Sequence, residues 1–247
     1  RNGFRSYGGS VVWRPTGAAM FTVFAGAFTN RGDEARVTIF PAAGEDLPNV
    51  PRGQFLGQSW TDRNGMGTTF GGIGKLAKGP WLFEAGLFEF RTHSETNFAD
   101  FLRGVKADGS ASSRTIIYDP DSETRSFSGE GRVTRLFRMG AVEHRIIVSA
   151  RGRVKDRLFG GVQRIDLGPS SAITPDFQAK PVLLPQVKDE DHVQQMNWGL
   201  AYGFKWLDRG SVDLSVSHTS YTKKLDFADV RLPVLETRDN PILVTAA

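Results

Sequence analysis

The sequence predicts an all-β fold, an antiparallel up-and-down transmembrane β-barrel of which this chain supplies about eight to nine long strands. Apolar and polar residues alternate with a period of two along most of the chain. Short turns that contain glycine alternate with long polar connections. The predicted strands exceed the five or six residues that are usual in globular proteins. A transmembrane barrel combines all three features, with short turns at one end and long loops at the other.

The alternation is clearest between Met196 and Trp206. Every second residue there is large and apolar, and the residues between them are small or polar. A strand of this length crosses a bilayer at a tilt, with its large face toward lipid and its small face toward a wet lumen. Residues 143–155 and 211–221 alternate in the same way. In residues 20–28 both faces are apolar, and their orientation is not predicted.

Four hairpins are predicted in series. They pair residues 4–14 with 18–30, 55–75 with 80–93, 114–137 with 142–157, and 192–206 with 210–225, and a ninth strand begins near Ile242. The four short turns carry glycines that we expect to accept positive φ, namely Gly17, Gly79, Gly140 and Gly210. The long connections are predicted at 31–54, 94–113, 158–191 and 226–240.

The composition excludes several classes of protein. The chain has 247 residues, no cysteine and a net charge of +4. The absence of cysteine excludes disulfides and thiolate metal sites, and the spread of lysine and arginine does not indicate a nucleic-acid partner. The four histidines are not at metal-ligand spacing, so no metal site, cofactor or catalytic constellation is predicted. GIGKLA at 72–77 formally fits a dinucleotide fingerprint, but the hairpin turn that follows excludes the required helix.

Basic residues on the predicted lumen face form the candidate ligand-binding wall, which consists of Arg132, Arg145, Arg151, Arg153 and Lys155. Such a wall concentrates anions, and guanidinium groups bind carboxylates or phosphates bidentately. Glu130, Glu143 and Asp213 share this face, and the stronger interpretation is that cross-strand pairing with them uses much of the basicity.

Aromatic residues beside the short turns are predicted to form an interfacial girdle. They are Trp13, Trp81, Phe137 and Trp206. Four loop aromatics, Phe40, Phe55, Trp60 and Phe177, are candidate ligand contacts, although solitary loop aromatics more often pack within their own loop. The long connections at 31–54 and 158–191 are where we expect ligand selectivity.

Three segments resemble the barrel of TonB-dependent outer-membrane receptors. They are FRSYGGSVVWRPT, FLGQSWTDRNGMGTTFGGIGKLAKGPWLFEAGLFEF and FSGEGRVTRLFRMGAVEHRIIVSARGR, which begin at Phe4, Phe55 and Phe127. Nearly the whole chain fits a barrel segment. Members of that family also carry a plug domain, a TonB-contacting box and further strands, which this sequence does not show. The resemblance therefore implies one incomplete barrel domain over residues 1–247, with the plug absent.

The resemblance implies uptake of a scarce nutrient across the bacterial outer membrane, and the nutrient that it favours is a ferric siderophore. It implies three partners: outer-membrane lipid, a small-molecule ligand, and the TonB complex acting through a plug outside this chain. No covalent chemistry is needed, so an enzyme is not predicted. The alternatives are a small passive outer-membrane pore, a soluble β-sandwich binding module, and an outer-membrane lipid hydrolase that would depend on His218 or Ser220.

Overall fold

The computed structural model of the chain describes residues 3–50, 52–206 and 209–247. All regular structure in these ranges is β-strand, in 14 segments. No helix in the described ranges is long and apolar enough to cross a membrane. The strands form one sheet of ten strands, the main sheet, and one sheet of four, the loop sheet.

The main sheet contains eight long strands that pair antiparallel with their neighbours in chain order. They are β1 (Gly3–Thr16), β2 (Ala19–Glu34), β4 (Asp62–Lys78), β5 (Trp81–Thr96), β8 (Ser122–Met139), β9 (Val142–Phe159), β11 (Asp189–Trp206) and β12 (Gly210–Asp226). Two short strands, β13 (Leu235–Asp239) and β14 (Ile242–Ala246), both pair with β12. This is the up-and-down order that the sequence predicts, and the sheet is open, as in a partial barrel.

The strand register assigns every side chain of the main sheet to one of two faces, because directly paired residues point to the same side. The face that carries Arg151 and Asn197 is called the polar face, and the face that carries Val148 and Leu200 is called the apolar face. The predicted faces of β8, β9, β11 and β12 are confirmed.

The register also orients the segment that alternation left open. In β2, Phe21, Val23 and Ala25 pair with apolar-face residues of β4. Phe24 and Phe28 lie on the polar face, opposite Gly71 and Gly67. The polar face of the first strands is therefore rich in aromatic side chains. Alternation missed this because both faces are apolar there.

The predicted turn conformations hold in two cases of four. Gly79 and Gly140 have φ of 58° and 60°, the left-handed region that glycine adopts without steric strain. Gly17 and Gly210 do not have positive φ, so those two predictions are wrong. The turn before Gly210 includes residues 207 and 208, which lie outside the described ranges.

None of the four long connections is wholly irregular. The one at 226–240 contains β13 of the main sheet. The other three contain β3 (Val37–Pro41), β6 (Phe98–Val105), β7 (Ser110–Tyr118) and β10 (Gln163–Ser171), which form the loop sheet in the order β10-β7-β6-β3. Two of the predicted strand boundaries are wrong. Residues 55–61 precede β4, and residues 114–118 belong to β7 rather than to a strand of the main sheet. The pairing of β3 with β6 is parallel, an exception to the predicted antiparallel order.

Most of the buried apolar residues in the described part of the chain lie in or beside the loop sheet. Two apolar clusters form its core, and their buried members are Ala35, Phe98, Ile116 and Ile165 in one and Leu102, Val105, Ala111 and Ala172 in the other. The apolar face of the main sheet is not covered by this core. Trp198 and Leu200 there are 53% and 49% exposed. The molecule is therefore not the soluble sandwich, in which two sheets bury their apolar faces against each other.

Candidate functional site

A concavity of about 620 Å³ lies on the polar face, and three of the five predicted wall residues line it. These are Arg151, Arg153 and Lys155, which occupy alternate positions of β9 and so project from one side of the strand. Within the described ranges, none of the three forms an ion pair or a side-chain hydrogen bond. Three unneutralised cations in one concavity favour an anionic occupant.

The other two predicted wall residues are neutralised by neighbours. Arg132 Nη2 lies 2.7 Å from Glu130 Oε1, and Arg145 Nη2 lies 2.8 Å from Asp213 Oδ1. Neither arginine lines the concavity. The expected cross-strand pairing is therefore seen for Arg145 and Asp213, whereas Arg132 and Glu130 pair along the same strand, β8. The wall remains basic at the end of β9 nearer the long connections.

Other residues of the concavity were not identified from the sequence. Phe88 and Phe90 of β5 line one side of it, and Thr124, Ser126 and Ser128 of β8 lie between these rings and the cations of β9. Gln195 and Asn197 of β11 line it beyond β9. Phe88 pairs with Ser128, and Phe90 pairs with Ser126. Alternation could not find the two rings because β5 also carries Phe83 and Leu87 on its other face. A signal was available in the neighbouring strand, β8. Its alternating hydroxyl residues mark the polar face, and Phe88 and Phe90 lie opposite two of them.

The four predicted girdle aromatics all lie at the short-turn end of the main sheet. The ring of Trp13 stacks on Phe21 at 5.5 Å, and the ring of Phe137 stacks on His144 at 4.9 Å. Trp81 and Trp206 are 39% and 48% exposed. Both lie on the apolar face. The register places Arg135 and Val142 on that face, and these are the residues that pair with Trp81 and Trp206.

The candidate loop aromatics pack within the long connections. Phe55 stacks on Phe177, with 6.3 Å between ring centroids, and Phe40 lies 5.9 Å from Phe101. Trp60 meets Phe98 edge-on and donates a hydrogen bond from Nε1 to the carbonyl of residue 178 at 3.0 Å. The interpretation that such residues pack within their own loops is therefore wrong here, because each of these contacts joins two different connections. Phe177 remains 59% exposed.

The fully buried side chain of Gln58 ties two distant connections together. Its Nε2 donates to the carbonyl of Asp176 at 2.6 Å, and its Oε1 accepts from the amide of Gln178 at 2.8 Å. The segment after β10 is thereby fixed to the segment before β4. The sequence does not suggest this contact, because glutamine is usually a surface residue and its two partners lie more than 100 residues away along the chain.

A buried ion pair lies at the centre of the loop sheet. Arg114 contacts both carboxylate oxygens of Asp100, at 3.1 and 2.5 Å, and also donates to the carbonyls of Leu56 and Asp176. Burial raises the pKa of Asp100, and the guanidinium of Arg114 opposes that rise. One side chain thus joins β6, β7 and the connections that precede β4 and follow β10.

The residues required by the hydrolase alternative do not form a reactive pair. His218 and Ser220 both lie on the apolar face, opposite Trp198 and Met196. In the described part of the chain no hydrogen bond joins them, and no group of three or more His, Asp or Glu side chains is placed to hold a metal ion.

Comparison with known proteins identifies the architecture. No protein-family model and no curated protein matches the sequence. The solved structures of several receptors do match. The siderophore receptor PiuA of Acinetobacter baumannii aligns with a TM-score of 0.74 at 11% identity, over 99% of this chain and 39% of PiuA. The pyoverdine-bound FpvA of P. aeruginosa aligns with a TM-score of 0.74 at 15% identity, over 98% of this chain and 32% of FpvA.

A third similar structure is BauA, the ferric preacinetobactin receptor of A. baumannii, with a TM-score of 0.71 at 14% identity over 98% of this chain and 37% of BauA. The chain therefore spans well under half the length of these receptors. The predicted resemblance is confirmed for the fold, which is that of part of a siderophore-receptor β-barrel. The similar structures are receptors and transporters rather than enzymes.

Proposed function

We propose that the chain is a barrel segment of an outer-membrane receptor that imports a ferric siderophore by TonB-dependent transport. The observation that carries this proposal is the concavity of the polar face, in which Arg151, Arg153 and Lys155 form no ion pair in the described part of the chain and Phe88 and Phe90 line the other side. A ferric complex of a catecholate or carboxylate siderophore is a multivalent anion. Its charge matches the three cations, and aromatic catecholate rings can also pack on the phenylalanines.

The two faces of the main sheet support a position across a membrane. The apolar face is uncovered, and its aromatic rings cluster beside the short turns, as in the interfacial girdle of outer-membrane barrels. Such a face is stable against lipid. In lipid every backbone N–H and C=O group must be hydrogen-bonded within the protein, so a sheet that spans the membrane has to close into a barrel. We therefore propose that outer-membrane lipid surrounds the apolar face, and that strands outside this chain complete the barrel around the polar face.

The transport step does not require chemistry from this segment. In the proposed mechanism the cations on β9 bind the ferric complex electrostatically, and the long connections control entry to the polar face. A plug domain outside residues 1–247 would close the lumen and receive energy through TonB. The bound ferric ion is cargo, and the complex passes through unchanged.

The experiment compares an anionic with a neutral ferric complex. The full-length protein is purified in detergent micelles, and its affinity is measured for a ferric tricatecholate and for a neutral ferric trihydroxamate. The variant Arg151→Gln/Arg153→Gln should bind the tricatecholate at least about tenfold more weakly, because charge-assisted contacts are lost. Its affinity for the neutral complex should change little.

The matched control is Arg132→Gln/Arg145→Gln. It removes the same charge from the same face, but from residues that pair with Glu130 and Asp213. This variant should retain tricatecholate binding within about threefold. Equal losses in the two double variants would assign the effect to net charge and would contradict a site in the concavity. Absence of binding to any ferric complex would contradict the receptor function.

A further inference from the structure

Glu89 is a nearly buried carboxylate on the apolar face, 6% exposed, at the level where the apolar side chains of that face give way to charged ones such as Glu123 and Asp156. Two arginines hold it. The Nε of Arg125 donates to its Oε1 at 2.9 Å, and the Nε of Arg91 donates to the same oxygen. The three side chains form a clamp, defined here as Arg91, Glu89 and Arg125, with a net charge of +1.

The clamp leaves the outer ends of both guanidinium groups available. Each arginine uses its Nε on Glu89, and in the described part of the chain no hydrogen bond is made by the terminal nitrogens of either. Both side chains remain about half exposed, at 48% and 53%. Asp156 lies opposite Arg125 on β9, but its carboxylate bonds to the ring of His192. Two arginines fixed side by side with free terminal N–H groups suit a phosphate, which accepts several such bonds.

The clamp lies at a definite height along the strands. Between Trp81, beside the short turn, and Arg91, β5 rises about 25 Å at a tilt of about 40°. This equals the height of the apolar band of an outer-membrane barrel. On the apolar face of β5, the residues between these two and below the clamp are uncharged, namely Phe83, Ala85 and Leu87. The clamp therefore lies at the border where lipid headgroups begin, on the side of the long connections.

An apolar groove of about 730 Å³ begins directly beneath the clamp. Phe127, the residue that pairs with Glu89, lines its upper end together with Leu87. Its base is made of small residues, Gly129, Gly131, Ala150 and Gly152, and Met196 forms one side. These small residues on two adjacent strands, β8 and β9, create a depression in a face that carries large side chains nearby.

We propose that the clamp and the groove together bind a phosphorylated amphiphile of the surrounding membrane. The phosphate occupies the terminal nitrogens of Arg91 and Arg125, and an acyl chain lies along the groove. Glu89 keeps the two like charges at a fixed separation without neutralising both. The occupant is assigned from charge complementarity at the headgroup border and from the continuity of the apolar groove below it. The clamp and the groove open on the opposite face of the sheet from the cargo concavity, although Gly152, Arg153 and Gln195 line both the groove and the concavity.

The test uses dihexanoyl phosphatidic acid as the probe, with inorganic phosphate and dihexanoyl phosphatidylcholine as comparisons. Binding to the full-length protein in detergent micelles is measured by native mass spectrometry. Arg91→Gln/Arg125→Gln should weaken binding of the phosphatidic acid about tenfold or more. Arg103→Gln, an exposed arginine of the loop sheet, should leave it unchanged.

A second variant tests the groove independently of the charges. Gly131→Leu fills the depression, because a Cβ on Gly131 would meet no atom within 4 Å. It should weaken phosphatidic acid binding about tenfold by removing the apolar contact, without affecting inorganic phosphate.

Two outcomes would overturn the proposal. Unchanged affinity in the arginine double variant would remove the clamp as the phosphate site. Equal affinity for inorganic phosphate and phosphatidic acid, insensitive to Gly131→Leu, would show a free-phosphate site instead of a lipid site. Retention of heat-modifiable gel mobility confirms that each variant is folded, and Gly131→Leu decides the question if the arginine variant does not fold.

Discussion

The ring of Phe24 lies over Gly71 of the neighbouring strand, on the polar face of the main sheet. A Cβ placed on Gly71 would lie 2.6 Å from Phe24 Cζ and 2.6 Å from the carbonyl oxygen of Leu87. Phe28 stands in the same relation to Gly67, where a Cβ would lie 2.3 Å from its Cε1. Aromatic rings on β2 thus fill the space that glycines leave on β4, a known way of stabilising strand glycines.

Gly71→Ala should destabilise the main sheet, because a backbone carbonyl and an aromatic ring would both have to move. We expect a loss of about 1–3 kcal/mol in the free energy of unfolding, the usual range for overpacking. Urea titration in detergent micelles measures it. Gly131→Ala is the control, since its added methyl group meets no atom within 4 Å. Equal effects of the two substitutions would refute the packing argument.

Leu200→Arg tests whether the apolar face contacts lipid. Leu200 lies in the middle of β11 on that face, and it is 49% exposed. In a bilayer an arginine near the midplane should lower the free energy of unfolding by about 2–4 kcal/mol. Ala201→Arg places the same charge one residue away on the polar face and should cost less than about 1 kcal/mol. If the two variants have the same free energy of unfolding in lipid vesicles, the apolar face does not contact the bilayer.

The long strands of the main sheet could be predicted because alternation is a local property. In Met196–Trp206 of β11 one face is large and apolar and the other small or polar, and Val212, Leu214 and Val216 of β12 alternate with polar residues, so each residue there reports its own orientation. In β2 and β5 that information is lost, because rings such as Phe24 and Phe88 occupy the polar face. Their positions depend on glycines or hydroxyl residues of a neighbouring strand, and such long-range complementarity is not visible in either strand alone.

The loop sheet could not be predicted for a related reason. Its strands are short and come from three separate polar connections. A hairpin turn at Asp108-Gly109 links only β6 and β7, and no local signal links β3 or β10 to them. Arg114 reads as a surface residue in isolation. Its burial depends on Asp100 and on carbonyls from two other connections. The same limit applies to the candidate site, where the sequence identifies the cations of β9 but not the aromatic wall of β5.

Arg114→Met should destabilise the loop sheet selectively. It leaves the buried carboxylate of Asp100 without a partner, and breaking a buried pair costs about 3–5 kcal/mol. Hydrogen exchange of the β6 and β7 amides is the measurement, with the amides of β11 as an internal reference. Arg114→Met/Asp100→Leu should protect β6 and β7 better than Arg114→Met alone, because no unpaired charge is left. Lower protection in the double variant would contradict this account.

Gln58→Leu should release the segment that follows β10. The substitution removes the hydrogen bonds to the carbonyl of Asp176 and from the amide of Gln178. Phe177 lies between them and is already 59% exposed. We expect chymotrypsin to cleave after Phe177 at least about tenfold faster than in the parent protein, because local opening becomes easier. Gln163→Leu, which alters hydrogen bonds to residues 182 and 184 instead, serves as the control.

The order β10-β7-β6-β3 has a consequence for how such proteins diversify. Each connection contributes one or two strands to a shared sheet, and the parallel contact of β3 with β6 closes one side of it. Grafting a single connection from another barrel would remove an interior or edge strand and expose the backbone groups of its neighbour. We therefore expect these three connections to be exchangeable only as a set, so that a new specificity is inherited as a block rather than loop by loop.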